Sequence, residues 1–165
     1  MLEDVVNFNE VPIDDAEFTE KCRLELNQKG VVTLHNFLKY ETVEELIKEA
    51  KTRSRLAYFT NSTHNVYLTP KNENLGPEHV FNRQLNSSKG CITTDQIPEN
   101  SKLKKLYFSD IFKNFICRVV EEEALYEYAD SLSSINVHYA FEGQELNWHF
   151  DNSKFAITLL LQAPD

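Results

Sequence analysis

Apolar and polar residues follow two periodicities along this chain, one typical of helices through most of its length and one typical of strands near its end. Apolar side chains recur every three to four positions in four stretches, which predicts amphipathic helices. These stretches span residues 14–28, 41–57, 101–107 and 110–122. Asp14 or Asp15 can cap the first helix and Gly30 can end it, while Ser101 and Asp110 can cap the last two.

Shorter runs that are β-branched or that alternate between apolar and polar residues predict strands. They span residues 31–35, 64–68, 91–94, 134–141 and 154–162. The run 134–141 alternates and leads into a turn at 142–144, whereas 154–162 is mostly apolar, as expected of a buried strand. Residues 58–98 are otherwise rich in polar and turn-forming residues. A polar stretch of this length in a compact domain usually lines a site or forms a lid.

Composition limits the classes of protein to which the chain can belong. Its 165 residues suit one domain, and 41% hydrophobic with 12% aromatic residues suffice for a packed core. A formal charge of -9 argues against a nucleic-acid partner, because binding phosphates requires a basic surface. No signal peptide or apolar run long enough to cross a bilayer is apparent, so we expect a cytoplasmic protein without a membrane partner. Cys22, Cys91 and Cys117 are odd in number and widely spaced, which predicts reduced, half-buried thiols.

The segment 147–153, Asn-Trp-His-Phe-Asp-Asn-Ser, carries the strongest chemical signal. On an extended strand, His149 and Asp151 project from the same face and can hold one metal ion together. An imidazole and a carboxylate are two ligands of a facial triad, which suits Fe(II) and leaves positions open for a co-substrate and O2. Trp148 and Phe150 then face the other way, into the core. The alternative is a surface turn in which Asp151 only accepts hydrogen bonds from its neighbours.

Four motifs together resemble one enzyme family. They are Ser87-Ser88-Lys89-Gly90, Asp95-Gln96-Ile97-Pro98, Leu125-Tyr126-Glu127-Tyr128-Ala129-Asp130 and Trp148-His149-Phe150-Asp151-Asn152-Ser153. In this order, across residues 30–165, they resemble the BesD/HalD-like branch of Fe(II)/2-oxoglutarate-dependent oxygenases, which hydroxylate or chlorinate free amino acids. The resemblance implies Fe(II), 2-oxoglutarate and O2 as cofactor and co-substrates, with His149 and Asp151 as metal ligands.

The resemblance also implies a fold. We expect an α+β protein in which N-terminal helices pack on a double-stranded β-helix, the jelly-roll or cupin-like sheet. Residues 1–165 would form a single oxygenase domain, helical over about 1–125, with the first jelly-roll strands over about 131–165. We expect the sheet to be incomplete at its C-terminus.

Two functional groups of the family have no counterpart in this chain. Members continue with a distal histidine, the third iron ligand, and an arginine that binds 2-oxoglutarate, both expected beyond residue 165. We therefore expect a C-terminally truncated fragment that binds iron poorly and turns over little. In halogenating members a glycine replaces the carboxylate ligand, so Asp151 favours hydroxylation over halogenation.

The implied substrate is a small molecule, most simply a free amino acid. Arg83 or Lys89 could bind its carboxylate, and Asn152 could hydrogen-bond to it. Asn136 and His138 share one strand face that could line the interior of the barrel. Each has a plain alternative: a solvated charge for Arg83 and Lys89, a turn residue for Asn152, and an ordinary sheet histidine for His138.

Two other functions fit the same residues. One is a non-catalytic jelly-roll binding module that has lost the distal histidine and arginine. The other is a metalloenzyme that borrows its third ligand from a second chain. The oligomeric state does not follow from the sequence.

Overall fold

The computed structural model describes residues 1–130 and 132–163 and has an α+β fold. The chain forms two compact units. The first comprises Met1–Thr52, Thr93–Ile135 and Leu160–Asp165, and the second comprises Arg53–Ile92 and Asn136–Leu159. The first unit holds most of the helical residues, whereas the second holds the sheet and the His-x-Asp segment.

Four α-helices form where the apolar periodicity predicts them. They are α1 (Ala16–Lys29), α2 (Tyr40–Arg53), α3 (Lys102–Tyr107) and α4 (Asp110–Val119). Asp15 caps α1, accepting a 2.7 Å hydrogen bond from the backbone N–H of Phe18, and Gly30 ends this helix in the left-handed conformation at φ 74°. Ser101 caps α3 as predicted. The predicted cap of α4 is wrong, because Ser109 accepts from the backbone N–H of Phe112.

The core of the first unit combines these helices with the N-terminal segment. Phe18 of α1 stacks on Phe115 of α4, with ring centroids 6.2 Å apart. Val5 and Val6 are completely buried, and Val6 forms an isolated antiparallel bridge with Leu38. Burying a side chain of this size contributes about 1.5–3 kcal/mol, so the N-terminal segment is a structural part of the unit.

The second unit is built on one three-stranded antiparallel sheet in the order β1 (Tyr58–His64), β2 (Leu85–Ile92) and β3 (Val137–Tyr139). The register pairs His64 with Leu85, Thr60 with Lys89, and Cys91 with both Tyr58 and His138. Paired residues lie on the same face of a sheet. One face therefore carries His64, Thr60, Lys89 and His138.

Buried asparagines fix the polar segment between β1 and β2. The side chain of Asn65 accepts hydrogen bonds from the backbone N–H groups of Tyr67 and Thr69, both at 3.1 Å, which forms a turn after β1. Asn82 donates to the backbone carbonyls of Asn72, Leu75 and Gly76 and so closes the following loop. Because both asparagines are satisfied by local backbone groups, this long segment is held in one conformation.

Several predicted strands are wrong or displaced. Residues 31–35 form no strand and 65–68 form a turn, so the strand predicted at 64–68 instead ends at His64. The strand predicted at 91–94 begins earlier, at Leu85, and the predicted strand 134–141 is reduced to β3. No ladder forms over 154–162 within the described residues. A strand needs a hydrogen-bonded partner, which local periodicity does not identify.

The α+β class is confirmed, but the jelly roll is not and stays a prediction. Cys22, Cys91 and Cys117 are free thiols, and burial raises the pKa of Cys22 and Cys91. Cys91 and Cys117 are half-buried as predicted, whereas Cys22 is buried because it lies on the inner face of α1. Trp148 and Phe150, predicted to be core residues, are exposed instead, at 86% and 65%. Among the helices of the described ranges, none has the length and apolar character needed to cross a bilayer.

Candidate functional site

An open cleft of about 560 Å³ lies in the second unit, along the polar face of the sheet. Its lining includes Thr60, Ser62, His64, Ser87, Lys89 and His149. The strands contribute hydroxyl, amine and imidazole groups, and aromatic and aliphatic side chains such as those of Phe59, Leu68 and Leu146 line the rest of the wall. A cleft of this mixed composition suits a small ligand that carries both polar groups and an apolar part.

The His-x-Asp segment reaches this cleft by pairing again with β2. After β3 the chain turns at Gly143, which has φ 80°, and Leu146 then forms an antiparallel bridge with Ser87. The side-chain amide of Asn147 donates to the carbonyl of Asn86 at 2.9 Å. Farther on, the backbone N–H of Phe150 donates to the carbonyl of Val66 at 2.8 Å. The segment is thus fixed at both ends although it is not a regular strand.

His149 is held in the tautomer that suits metal binding. Its Nδ1 lies 2.9 Å from the backbone carbonyl oxygen of Asn147. A carbonyl oxygen can only accept, so Nδ1 carries the hydrogen and, in the neutral ring, Nε2 keeps its lone pair. Hydrogen bonds of this kind orient histidine ligands in metalloproteins.

The Nε2 atom of His149 lies 3.4 Å from Oδ1 of Asp151. The His149 side chain, which lines the cleft, is 23% exposed and that of Asp151 is 56% exposed, so both remain accessible to solvent. Two ligand atoms at about 2.1 Å from one metal ion and at right angles lie about 3 Å apart. The donor pair therefore fits a metal ion. Across residues 1–130 and 132–163, no three His, Cys, Asp or Glu side chains are arranged to hold a metal.

The other predicted site residues are distributed unevenly. Lys89 is half-buried and lines the cleft. His138 lies on the same face of the sheet, where partial desolvation and the charge of Lys89 lower its pKa, and Asn136 accepts a 3.5 Å contact from the thiol of Cys91. Arg83, in the loop before β2, is exposed and does not line the cleft.

Asn152 is also exposed and does not line the cleft. The structure thus brings His149, Asp151 and Lys89 to one side of the second unit. Whether any of them binds iron or substrate stays a prediction.

His64 is a cleft residue that the sequence analysis passed over. Its ring lies edge-to-face against that of His149, with centroids 5.5 Å apart and an interplanar angle of 79°. The two histidines are 85 positions apart in the sequence, and three contacts bring them together: the pairing of β1 with β2, the bridge from Leu146 to Ser87 and the hydrogen bond from Phe150 to Val66. The only local signal in the sequence is a histidine at the end of a polar run.

Comparison with models of known protein families assigns the chain to a family. The model of the family described as halogenase D (HalD) matches residues 13–165, which is nearly the whole chain. No curated protein and no solved structure matches it. Because the match covers both units and includes the His-x-Asp segment, the chain belongs to the halogenase D family, a halogenase-related family of enzymes.

Proposed function

We propose that this protein is an Fe(II)/2-oxoglutarate-dependent dioxygenase that hydroxylates an unactivated C–H bond of a free amino acid. The observation that most directly supports this proposal is the pair of metal-donor atoms, His149 Nε2 and Asp151 Oδ1, which lie 3.4 Å apart beside the cleft. Membership of the halogenase D family supports an oxygenase-type enzyme.

In this proposal His149 and Asp151 hold the iron. The hydrogen bond from His149 to the carbonyl of Asn147 keeps the ligand nitrogen free of a proton and fixes the plane of the ring. When bound, iron together with 2-oxoglutarate and O2 supplies the oxidant for C–H oxidation, whereas the protein supplies placement and electrostatics.

Lys89 is our first choice for binding the substrate carboxylate. Its ammonium lies in the cleft, and within the described part of the chain no carboxylate forms a salt bridge with it. A half-buried cation without a counter-ion favours an anionic ligand. Arg83 and Asn152 would need to move to reach the same ligand, which makes them weaker candidates.

Halogenation is the second candidate function, and the family description favours it. A halogenating site needs an open metal position for the halide, and Asp151 would occupy that position in this chain. The carboxylate oxygen already faces the imidazole nitrogen at 3.4 Å, so it would have to swing away. We therefore favour hydroxylation. The three free thiols suit the reducing cytoplasm, where we place the enzyme.

The test is the anaerobic visible spectrum of the protein, expressed from its complete reading frame, with Fe(II) and 2-oxoglutarate. We expect a charge-transfer band from the iron chelate. His149→Ala and Asp151→Ala should weaken iron binding by at least about 10- to 100-fold, the range measured even for outer-shell partners. Asp14→Asn, at an exposed carboxylate that serves as the control, should leave the band unchanged.

A wild-type protein that binds no iron, or that gives no band with 2-oxoglutarate, would overturn the proposal. Where the band appears, incubation with the twenty free amino acids in chloride buffer separates the two candidate reactions. Hydroxylation adds one oxygen atom to the product, whereas halogenation adds chlorine, and mass spectrometry distinguishes them.

A further inference from the structure

The neighbour of the proposed metal ligands, His64, has a free hydrogen-bond acceptor. It is the last residue of β1 and shares a sheet face with Lys89 through the register of β1 and β2. Its side chain lines the same cleft as His149.

The tautomer of His64 follows from its backbone contact. Nδ1 lies 3.0 Å from the carbonyl oxygen of Asn65, and because that oxygen can only accept, Nδ1 carries the hydrogen. The turn held by the Asn65 side chain fixes this carbonyl. In the neutral ring, Nε2 is therefore an acceptor with a lone pair.

This acceptor atom, Nε2 of His64, is shielded from solvent and receives no hydrogen bond from the described residues. Nε2 of His64 is buried and has no hydrogen-bond partner within residues 1–130 and 132–163. Buried polar atoms nearly always have a partner, and an exception in a cleft indicates that a bound group supplies one. His149 cannot supply it, because its Nδ1 hydrogen is used by Asn147.

We propose that Nε2 of His64 accepts a hydrogen bond from the ammonium group of the amino-acid substrate, an assignment that rests on the proposed function. A neutral acceptor gains most from a charged donor, and the ammonium is the charged donor that free amino acids share. His64 touches the ring of His149, so it sets the donor end of the substrate beside the metal.

Lys89 complements this assignment at the carboxylate of the substrate. Its partner across the sheet, Thr60, lies four residues before His64 on β1, which corresponds to about 13 Å along a strand. The ammonium and carboxylate groups of an α-amino acid are attached to the same carbon atom. To bind both groups, the long side chain of Lys89 would therefore lie along the polar face toward His64.

The first measurement is made without substrate. Nitrogen-15 NMR of the zinc-loaded protein reports which ring nitrogen of His64 carries hydrogen. We expect an unprotonated Nε2 and a protonated Nδ1. The opposite tautomer would overturn the assignment independently of any activity.

The second measurement is calorimetric binding of each of the twenty free L-amino acids to the anaerobic protein loaded with Fe(II) and 2-oxoglutarate. His64→Leu removes the acceptor and should weaken binding of the best amino acid by about 10- to 100-fold, the value of a hydrogen bond to a charged group. His64→Gln keeps an acceptor oxygen and should retain most of the affinity. The control is His35→Leu, at an exposed histidine of the other unit.

The outcomes separate this inference from the proposed function. Unchanged amino-acid affinity in His64→Leu overturns the role of His64 and leaves the proposed function standing. The same conclusion follows if the wild type binds a deaminated analogue of the best amino acid, in which hydrogen replaces the amine, with equal affinity. Loss of iron along with the amino acid in His64→Leu also overturns it, because His64 would then act on the metal. A wild type that binds iron but no amino acid overturns it as well, and one that binds no iron refutes the proposed function itself.

Discussion

At the scale of single residues, two backbone carbonyls determine the chemistry of the cleft. The carbonyls of Asn65 and Asn147 each accept from the Nδ1 hydrogen of a histidine and thereby leave the two Nε2 atoms as acceptors. One faces the carboxylate of Asp151, and the other is buried without a partner among the described residues. Backbone geometry thus leaves the Nε2 lone pair of each imidazole available, as the proposed metal site and the proposed substrate contact both require.

A third histidine gives a pH-dependent prediction. Although the His138 side chain is exposed, partial desolvation of its ring, and then the charge of Lys89, lower the pKa of His138 in the folded protein below its usual value of 6.5. The unfolded chain then binds this proton at a higher pH than the folded chain, so the stability contribution is fully present above about pH 6.5 and declines on acidification toward the folded-state pKa. We expect the melting temperature of wild type to fall more than that of His138→Gln between about pH 7.5 and about pH 5.

Thermal melts across this pH range provide the measurement. His35→Gln, at an exposed position, is the matched control and should follow the wild type. Parallel curves for wild type and His138→Gln would show that folding does not change the pKa of this histidine.

The spacing of residues in the sequence predicts some of the contacts in the cleft but not others. His149 and Asp151 are two positions apart, and their side chains do meet, which an extended backbone alone suffices to predict. His64 required the register of β1 with β2 and the turn at Asn65, and both are long-range or conformational facts. The charge of Lys89 made it a candidate for binding a carboxylate, but the sequence did not predict that Lys89 would line the cleft.

At the scale of elements, one glycine in β2 allows an aromatic ring of β1 to lie close against its backbone. Gly90 lies directly opposite Phe59, whose ring stacks on Phe141 with centroids 5.5 Å apart. A Cβ atom added at Gly90 would lie 2.5 Å from the Phe59 ring, closer than van der Waals contact allows. The missing side chain therefore makes room for an aromatic pair that covers the sheet.

Gly90→Ala should destabilise the protein. The methyl group would displace the partly exposed Phe59 ring from Phe141, and loss of such an aromatic pair costs about 0.5–1.5 kcal/mol. Urea unfolding followed by fluorescence measures the change. Gly76→Ala is the control, because a Cβ atom there meets nothing within 4 Å. Equal stability of the two variants would mean that Phe59 can move aside freely.

Helices and strands differ in how well the sequence predicts them. The helices α1 to α4 are encoded locally by apolar spacing and by caps such as Asp15, so their positions were predicted within a few residues. β1 reads Tyr-Phe-Thr-Asn-Ser-Thr-His and is largely exposed, so its polar residues hide its strand character. Its stability comes from pairing with β2, which local sequence does not reveal.

At the scale of the whole molecule, helices and cleft belong to different units. Nearly all residues of α1 to α4 lie in the first unit, whereas the cleft and the proposed iron ligands lie in the second. The only tryptophan, Trp148, is adjacent to His149. Circular dichroism therefore reports mainly on the first unit and tryptophan fluorescence on the second.

This separation allows a prediction about the effect of the metal on stability. A ligand that binds only the folded state at 100 times its dissociation constant adds about 2.7 kcal/mol to the free energy of unfolding. Fe(II) with 2-oxoglutarate, kept anaerobic, should therefore raise the midpoint of the fluorescence transition in urea. Asp151→Ala should lose this increase because it removes one ligand of the pair, whereas Asp14→Asn should keep it. An equal increase in Asp151→Ala would place the metal elsewhere.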